Sequence, residues 1–518
     1  MKRLVSLLGL VFFCLGFLAS QEQKPGELQL TLKECLVMAL EKNLDISVEA
    51  FAPEIQGYSI REAREAFLPQ LNLGYVDRNN NLPSNWYVEG EVYSRKYDQL
   101  SIGLEQEIPT GGRFSLSLAN STTDTTRSLT IANPTYDAEL FFEFNQPLLK
   151  NFGPKVSRKN ILQAQNQRDI SLTGLRSTMI EKIYEVEEAY WSLVQSVENL
   201  KVREYSLEHS KDQLKRTQEA ARIGIKTAID VLSAETEVAN WEDSILSQKS
   251  IVEKSEDRLR ALLNLPAEAP GLSQSIIPVD RPVVEKKEIT FEEALSLALE
   301  ERPDVEKIGI EIDNSSLDVS FFKNQLLPQL DLRFQLYYPG QSGDLLIYRD
   351  NNPYTGEVIG KREGSRMDSF KDVFDFKYIN WMVSLNLNLP MGNFLSRASV
   401  AMARMEKEKK LLEKERLQKS VRLEISEALK ELKSNEKRLE TSARYRELME
   451  KKLAAEEERF RLGLTSNEWL FRYQRDYASA RTGEISAIID YKLSVAKLEK
   501  IMGISMETKN LKFRDYDF

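Results

Sequence analysis

Apolar positions along the middle of the chain fall at alternating steps of three and four: Ile183, Val186, Tyr190, Leu193, Val197 and Leu200. Glu, Lys, Arg and Gln fill the other faces, which is the seam of a coiled-coil helix. The pattern runs down to Arg222-Ile-Gly-Ile-Lys-Thr227, where that helix breaks and a new one starts. It returns at Val421, Ile425, Ala428, Leu432 and Leu439 and leads to Arg461-Leu-Gly-Leu-Thr-Ser466. Gly224 with Gly463, and Thr227 with Ser466, share an offset of 239 residues. The chain therefore contains an internal repeat.

A second alignment lies upstream. Thr31, an N-cap with Glu34 three residues on, opens a helix in the capping-box pattern. Its counterpart opens at Thr290, at an offset of 259, and the 41 residues from Thr31 to Leu71 align with Thr290 to Leu330 without a gap. Both copies end on Leu-Pro-Gln-Leu, and there the period changes to two. Leu71, Leu73 and Tyr75 start a strand; Leu140, Phe142 and Phe144 alternate with polar neighbours, as do Leu330 to Leu336 and Val383 to Leu389. Strands that are apolar on one side and polar on the other suit a membrane barrel that holds water inside. A soluble sandwich with one face on a core shares the pattern. Arg78 to Gly90 and Pro339 to Phe374 read as long polar loops.

The two offsets differ by 20 residues, and a hairpin near 99–118, turning at Pro109-Thr-Gly-Gly112, accounts for the surplus. After Pro147 and Pro390 long helices start, Lys155 to Ala221 and Ser396 to Phe460, the first about 100 Å at 1.5 Å per residue. Shorter helices follow each tip, Thr227 to Asn264 and Ser466 to Met502. Stacked end to end with the helix that opens each copy, they match the long ones. The predicted organisation is an export signal at 1–20 and a first repeat at 21–265, with strands in 71–145. A Pro-rich linker at 266–289, a second repeat at 290–503 with strands in 330–389, and a tail at 504–518 complete it.

Composition changes this picture in three places. Lys2 and Arg3, the apolar run Leu4 to Leu18, and small Ala19-Ser20 form a cleavable export signal, the run being short of a spanning helix. A lipidated start at Cys14 is the alternative, with bulky Phe13 against it. Removal of 1–20 takes the net charge from −9 to −11, and no basic stripe with interleaved aromatics exists, which speaks against nucleic acid. With Cys14 gone, Cys35 has no partner for a disulfide. His209, the single histidine, sits among polar helix residues. No nucleotide loop, metal cluster or nucleophile–base set is visible, so neither catalysis nor a cofactor is expected.

The order and duplication of these motifs, with Gln146-Pro147-Leu148-Leu149 and Leu389-Pro390, resemble the TolC-like outer membrane efflux protein family over nearly the whole mature length. The resemblance implies an α+β membrane protein: a long antiparallel α-helical coiled-coil barrel plus a transmembrane antiparallel β-barrel, formed by a homotrimer. Each subunit would give four strands to a shared 12-stranded barrel in outer membrane lipid, a count the surplus hairpin puts in question. It further implies an exit duct, for small molecules or proteins, joined through a periplasmic adaptor to an inner-membrane pump. Adaptor docking would fall on the helix tips, Arg222, Gly224 and Thr227 with Arg461, Gly463 and Ser466. Asp230 is the candidate periplasmic gate residue; the second copy has Trp469 there. A periplasmic adaptor or coiled-coil scaffold without a barrel is the alternative, although neither would carry the period-two strands.

Overall fold

The computed structural model describes residues 27–84, 92–127, 130–266, 275–282, 286–352, 354, 357–392 and 394–511. The export segment at 1–20, with Cys14, lies outside the described residues. In chain order the elements are β1 (Glu27–Leu30), α1 (Leu32–Lys42), α2 (Leu44–Glu65), β2 (Gln70–Pro83), β3 (Val92–Glu107), β4 (Arg113–Thr125) and β5 (Ala132–Pro147). Next come α3 (Pro154–Ser157), α4 (Lys159–Arg222), α5 (Ala228–Leu262), β6 (Ser275–Pro278), α6 (Phe291–Glu301), α7 (Pro303–Gln325), β7 (Gln329–Tyr348) and β8 (Val358–Arg362). The last are α8 (Arg366–Phe374), β9 (Asn380–Asn388), α9 (Phe394–Arg461), α10 (Asn467–Met502) and α11 (Ser505–Thr508). They fall into two compact units, the first made from the chain up to Ala52, Leu172–Glu306 and the residues from Glu415 on. Pro53–Ser171 and Lys307–Lys414 make the second.

The first unit is helical and has two cores. One gathers Leu36, Ala39, Ile183, Val186, Tyr190, Leu193, Leu259 and Leu263; the other Ala294, Ala298, Ile425, Ala428, Leu432, Leu498 and Met502. Val186 with Ile425, Ala189 with Ala428, Leu193 with Leu432 and Leu259 with Leu498 stand 239 positions apart, and all are buried. The three-four seam is therefore the buried face. Burial pushes the Cys35 thiol up to about 12, so it is an inert core residue. Thr31 and Thr290 form the capping boxes with Glu34 and Glu293 that their spacing predicts.

Short helices meet end to end at one residue in each half. Asn43 donates its amide to the Leu262 carbonyl at the end of α5 (2.9 Å), while its side-chain oxygen accepts from the Asp45 and Ile46 amides that open α2. Arg302, 259 positions on, donates to the Ile501 carbonyl in the last turn of α10 (3.2 Å). It also clasps both Asp304 oxygens at the start of α7. At Asn43 the orphan groups of one helix end and the next helix start are thus satisfied together, whereas Arg302 meets the orphan carbonyl and holds the next start through the Asp304 side chain. The described part of the linker carries structure too. Its β6 pairs in parallel with β1, and Asp280 accepts from the Leu32 amide and the buried Tyr190 hydroxyl.

The second unit holds an antiparallel sheet of order β2-β3-β4-β5-β7-β8, with β9 also on β7. Two readings of the sequence change here. The polar run Asp77 to Asn81 is strand, paired through Pro83 with β3, and β7 continues past Pro339 to Tyr348. Backbone ladder bonds do not need an apolar side chain when both faces reach water. Pro339 falls where β7 has a partner on one side only, since β9 pairs up to Tyr337 and β8 from Leu345. The surplus hairpin is longer than predicted, β3 and β4 together, and is built into the sheet between β2 and β5. Six strand columns result instead of four, with the five-residue β8 standing beyond β9 along the β7 edge.

Register assigns the faces. Leu73, Ile102, Leu118, Leu140, Tyr338 and their neighbours share one apolar face that ends on Trp381, Val383, Leu385 and Leu387. The opposite face carries Ser101, Ser117, Glu139, Gln335 and Asn386. Near the distal end of the apolar face, α8 is seated over small residues. Asn120 hydrogen-bonds the buried Ser369 hydroxyl, and a Cβ at Gly340 would collide with the Ser369 carbonyl.

Candidate functional site

Both tips break in the same way. α4 ends at Arg222, and Gly224 takes φ +80, its amide donating to the Ala221 carbonyl at 3.0 Å and the Ile225 amide to Ala220 at 2.9 Å. α9 ends at Arg461, and Gly463 takes φ +73 with matching bonds to Phe460 and Arg459. This is the left-handed helix stop for which glycine is suited. Neither glycine has an atom within 4 Å of a built Cβ, so the requirement is conformational rather than one of space.

The next helix starts differently at the two tips. Thr227 caps α5: its hydroxyl accepts from the Asp230 amide, and the Asp230 carboxylate accepts from the Thr227 amide (2.9 Å) and hydroxyl (2.8 Å). Those bonds, the backbone one first, hold the Asp230 carboxyl below the usual carboxylate range. Ser466 has the same extended backbone at the start of α10 but makes no side-chain cap bond. Trp469 occupies the position of Asp230 and offers no carboxylate to close the box. A side-chain cap is therefore present at Thr227 alone.

The two tips lie side by side. Asn467, buried beside Ser466, donates to the Asp230 carbonyl at 3.3 Å, and the Lys226 ammonium sits 5.0 Å above the Phe460 ring. Arg475 of α10 pairs with the buried Glu237 of α5. Arg222 and Arg461 are exposed, the latter paired with Glu458. Around the glycines stand four residues the sequence reading passed over: Ile223, Ile225, Leu462 and Leu464, 63–71% exposed. Their signal was available, since apolar residues flanking a turn glycine have no core to enter. Among the described residues no His, Cys, Asp or Glu group is arranged to hold a metal, and no helix is long and apolar enough to cross a membrane.

The sequence model of the family described as outer membrane efflux protein matches residues 113–265 and 294–504, more than half of the chain. The chain belongs to the outer membrane efflux protein family. It is an exit duct of the outer membrane that serves efflux and reaches into the periplasm. No curated protein matches the sequence. Among solved structures, a membrane protein from Pseudomonas aeruginosa is similar with a TM-score of 0.62 and 16% identity, over 91% of this chain and 92% of that one. The Campylobacter jejuni CmeC outer membrane channel follows with 0.59 and 15% identity, over 93% and 90%. The Neisseria gonorrhoeae MtrE channel in its open state gives 0.59 and 16%, over 92% and 89%. At these identities the likeness speaks for the fold.

Proposed function

We infer that the efflux duct is a passive homotrimer whose helix tips dock a periplasmic adaptor, which links it to an inner-membrane pump. The observation that carries the docking reading is the exposed apolar quartet Ile223, Ile225, Leu462 and Leu464, held on two positive-φ turns that one protomer places together. Exposed apolar residues on a rigid, paired turn are what a partner helix tip buries. In this reading Arg222, Gly224, Thr227, Arg461, Gly463 and Ser466 form the docking surface. Asp230 serves the same end of the duct as cap and gate residue.

The sheet supports closure by further copies. Its apolar face is open except where α8 covers the distal end, with Leu73 72% exposed, and its edge strands β2 and β9 run in opposite directions. A second copy can add β2 beside β9 in antiparallel fashion and so remove both edges. Lipid of the outer membrane then covers the apolar face, and the polar face lines water. The two halves, 21–265 and 290–503 joined by 266–289, act as one repeat used twice. Photo-crosslinkers at Ile225 and Leu464 in cells test the docking reading. An adduct with an adaptor is the expected result; adducts that form only from residues on the helical wall would overturn it.

A further inference from the structure

We propose that the β3–β4 hairpin is part of the barrel wall, so that each copy contributes six strand columns and the duct opens through a lumen wide enough for bulky, hydrated cargo. The inference rests on the reading that copies close edge to edge. The hairpin lies within the sheet and not beside it. β3 registers with β2 from Gln70 to Pro83, and β4 registers with β5 from Arg113 to Thr123. A hairpin projecting above a four-stranded wall would leave β2 to pair with β5, whereas β2 pairs with β3.

Its turn is anchored at the end of the sheet where the strands join the helices. Thr110 bonds Gln146, the Gly153 amide donates to the Thr110 carbonyl at 3.0 Å, and Ser157 donates to Pro109. Gly111, at φ +90, lies so close to the Asn151 carbonyl that a Cβ would collide with it. The hairpin therefore spans the same height as its neighbours. Sidedness continues through it without a break. Leu100, Ile102, Leu116 and Leu118 stay on the apolar face, with Ser101, Gly103, Ser117 and Ala119 on the other. Inserting two strands also leaves β2 and β9 antiparallel, so the edges still fit each other; one strand would not.

Three such copies form a barrel of about eighteen strands, about one and a half times the circumference of a 12-stranded one. Barrels of that size leave an aqueous channel rather than a packed interior. Side chains reinforce the effect. At mid-height the polar face of the added columns carries Ser101, Gly103, Ser117 and Ala119, level with Glu139 and Phe141 of β5, while Glu105, Glu107 and Arg113 line its helix end and Tyr97 and Gln99 its far end. At that level the hairpin adds perimeter and little bulk. A wide lumen lined at mid-height by small residues on these columns suits polymer-sized hydrated cargo.

The test uses the full chain reconstituted in bilayer vesicles, with Ile102→Cys, Leu118→Cys, Ser101→Cys and Ser117→Cys made singly. The natural Cys35 is buried. A membrane-impermeant maleimide is expected to label Ser101→Cys and Ser117→Cys and to lose its reaction at Ile102→Cys and Leu118→Cys. Full labelling at all four overturns the proposal. Size exclusion of graded polyethylene glycols is then compared with a chain lacking residues 92–125. The intact duct is expected to admit larger polymers, and equal cut-offs overturn the wide lumen. Chemical crosslinking of the same preparation counts copies. A number other than three, with the labelling pattern intact, rejects the trimer and keeps the hairpin in the wall.

Discussion

Gly224 and Gly463 occupy backbone that other residues enter only with strain, at φ +80 and +73, and nothing crowds them. A bulky residue there strains the turn and, in the proposed docking, blocks the approach of a partner tip. Gly224→Trp and Gly463→Trp assemblies are expected to insert normally and to lose adaptor capture and efflux. Full efflux by the double variant would place docking elsewhere. The cap beside Gly224 carries a pH dependence. Asp230 titrates lower in the folded protein than in the unfolded chain, so its cap is complete above the ordinary carboxylate value near 3.9 and is lost as pH falls through the depressed one. Anisotropy of a fluorophore at Ile225→Cys is expected to hold from neutral pH past that value and then drop; Asp230→Asn removes the drop. Asn43 concentrates more bonds than any tip residue. Asn43→Ala leaves the Leu262 carbonyl and the first amides of α2 without their side-chain partner, which costs about 1–3 kcal/mol. Heat stability of the extracted assembly reads that loss.

At the scale of elements, the alternation in β9 is the sharpest feature. Leu385 and Leu387 lie on the exposed apolar face, while Asn386 pairs with Asp331 on the polar one. Arginine at Leu385 or Leu387 is expected to hinder assembly by about 2–4 kcal/mol near the membrane midplane, whereas Asn386→Arg assembles. Yield of the heat-modifiable form on gels measures this, and equal tolerance at the three positions would speak for a soluble sheet. The hairpin shows what register adds to pattern. Its apolar alternation at Leu100 to Leu104 and Phe114 to Leu118 was visible in the chain. Its place between β2 and β5 came only from the ladder.

For the whole molecule, the proposed duct depends on a surface that one copy leaves open. In the proposed assembly, a sheet with two antiparallel edges and an exposed apolar face is completed as a ring in lipid. Mature protein is expected to start near Gln21, to fractionate with the outer membrane, and to run as a higher-mass species before heating. Cytosolic recovery with Met1 retained would contradict both the export signal and the duct.

Periodicity alone determined which residues form the helical cores, where the tips break and where strands replace helices. Steps of three and four, steps of two, and glycine or threonine at helix ends are local consequences of backbone geometry. The seam at Ile183, Val186, Tyr190 and Leu193 is buried, as its spacing requires. What the chain could not specify locally is partnership between distant segments. Nothing near Asn43 or Arg302 announces the carbonyls of Leu262 and Ile501, because those bonds exist only once remote helix ends meet. Strand count belongs to the same class. Polar runs such as Asp77 to Asn81 lack the apolar signal of a strand, and only hydrogen bonding to β3 makes them one.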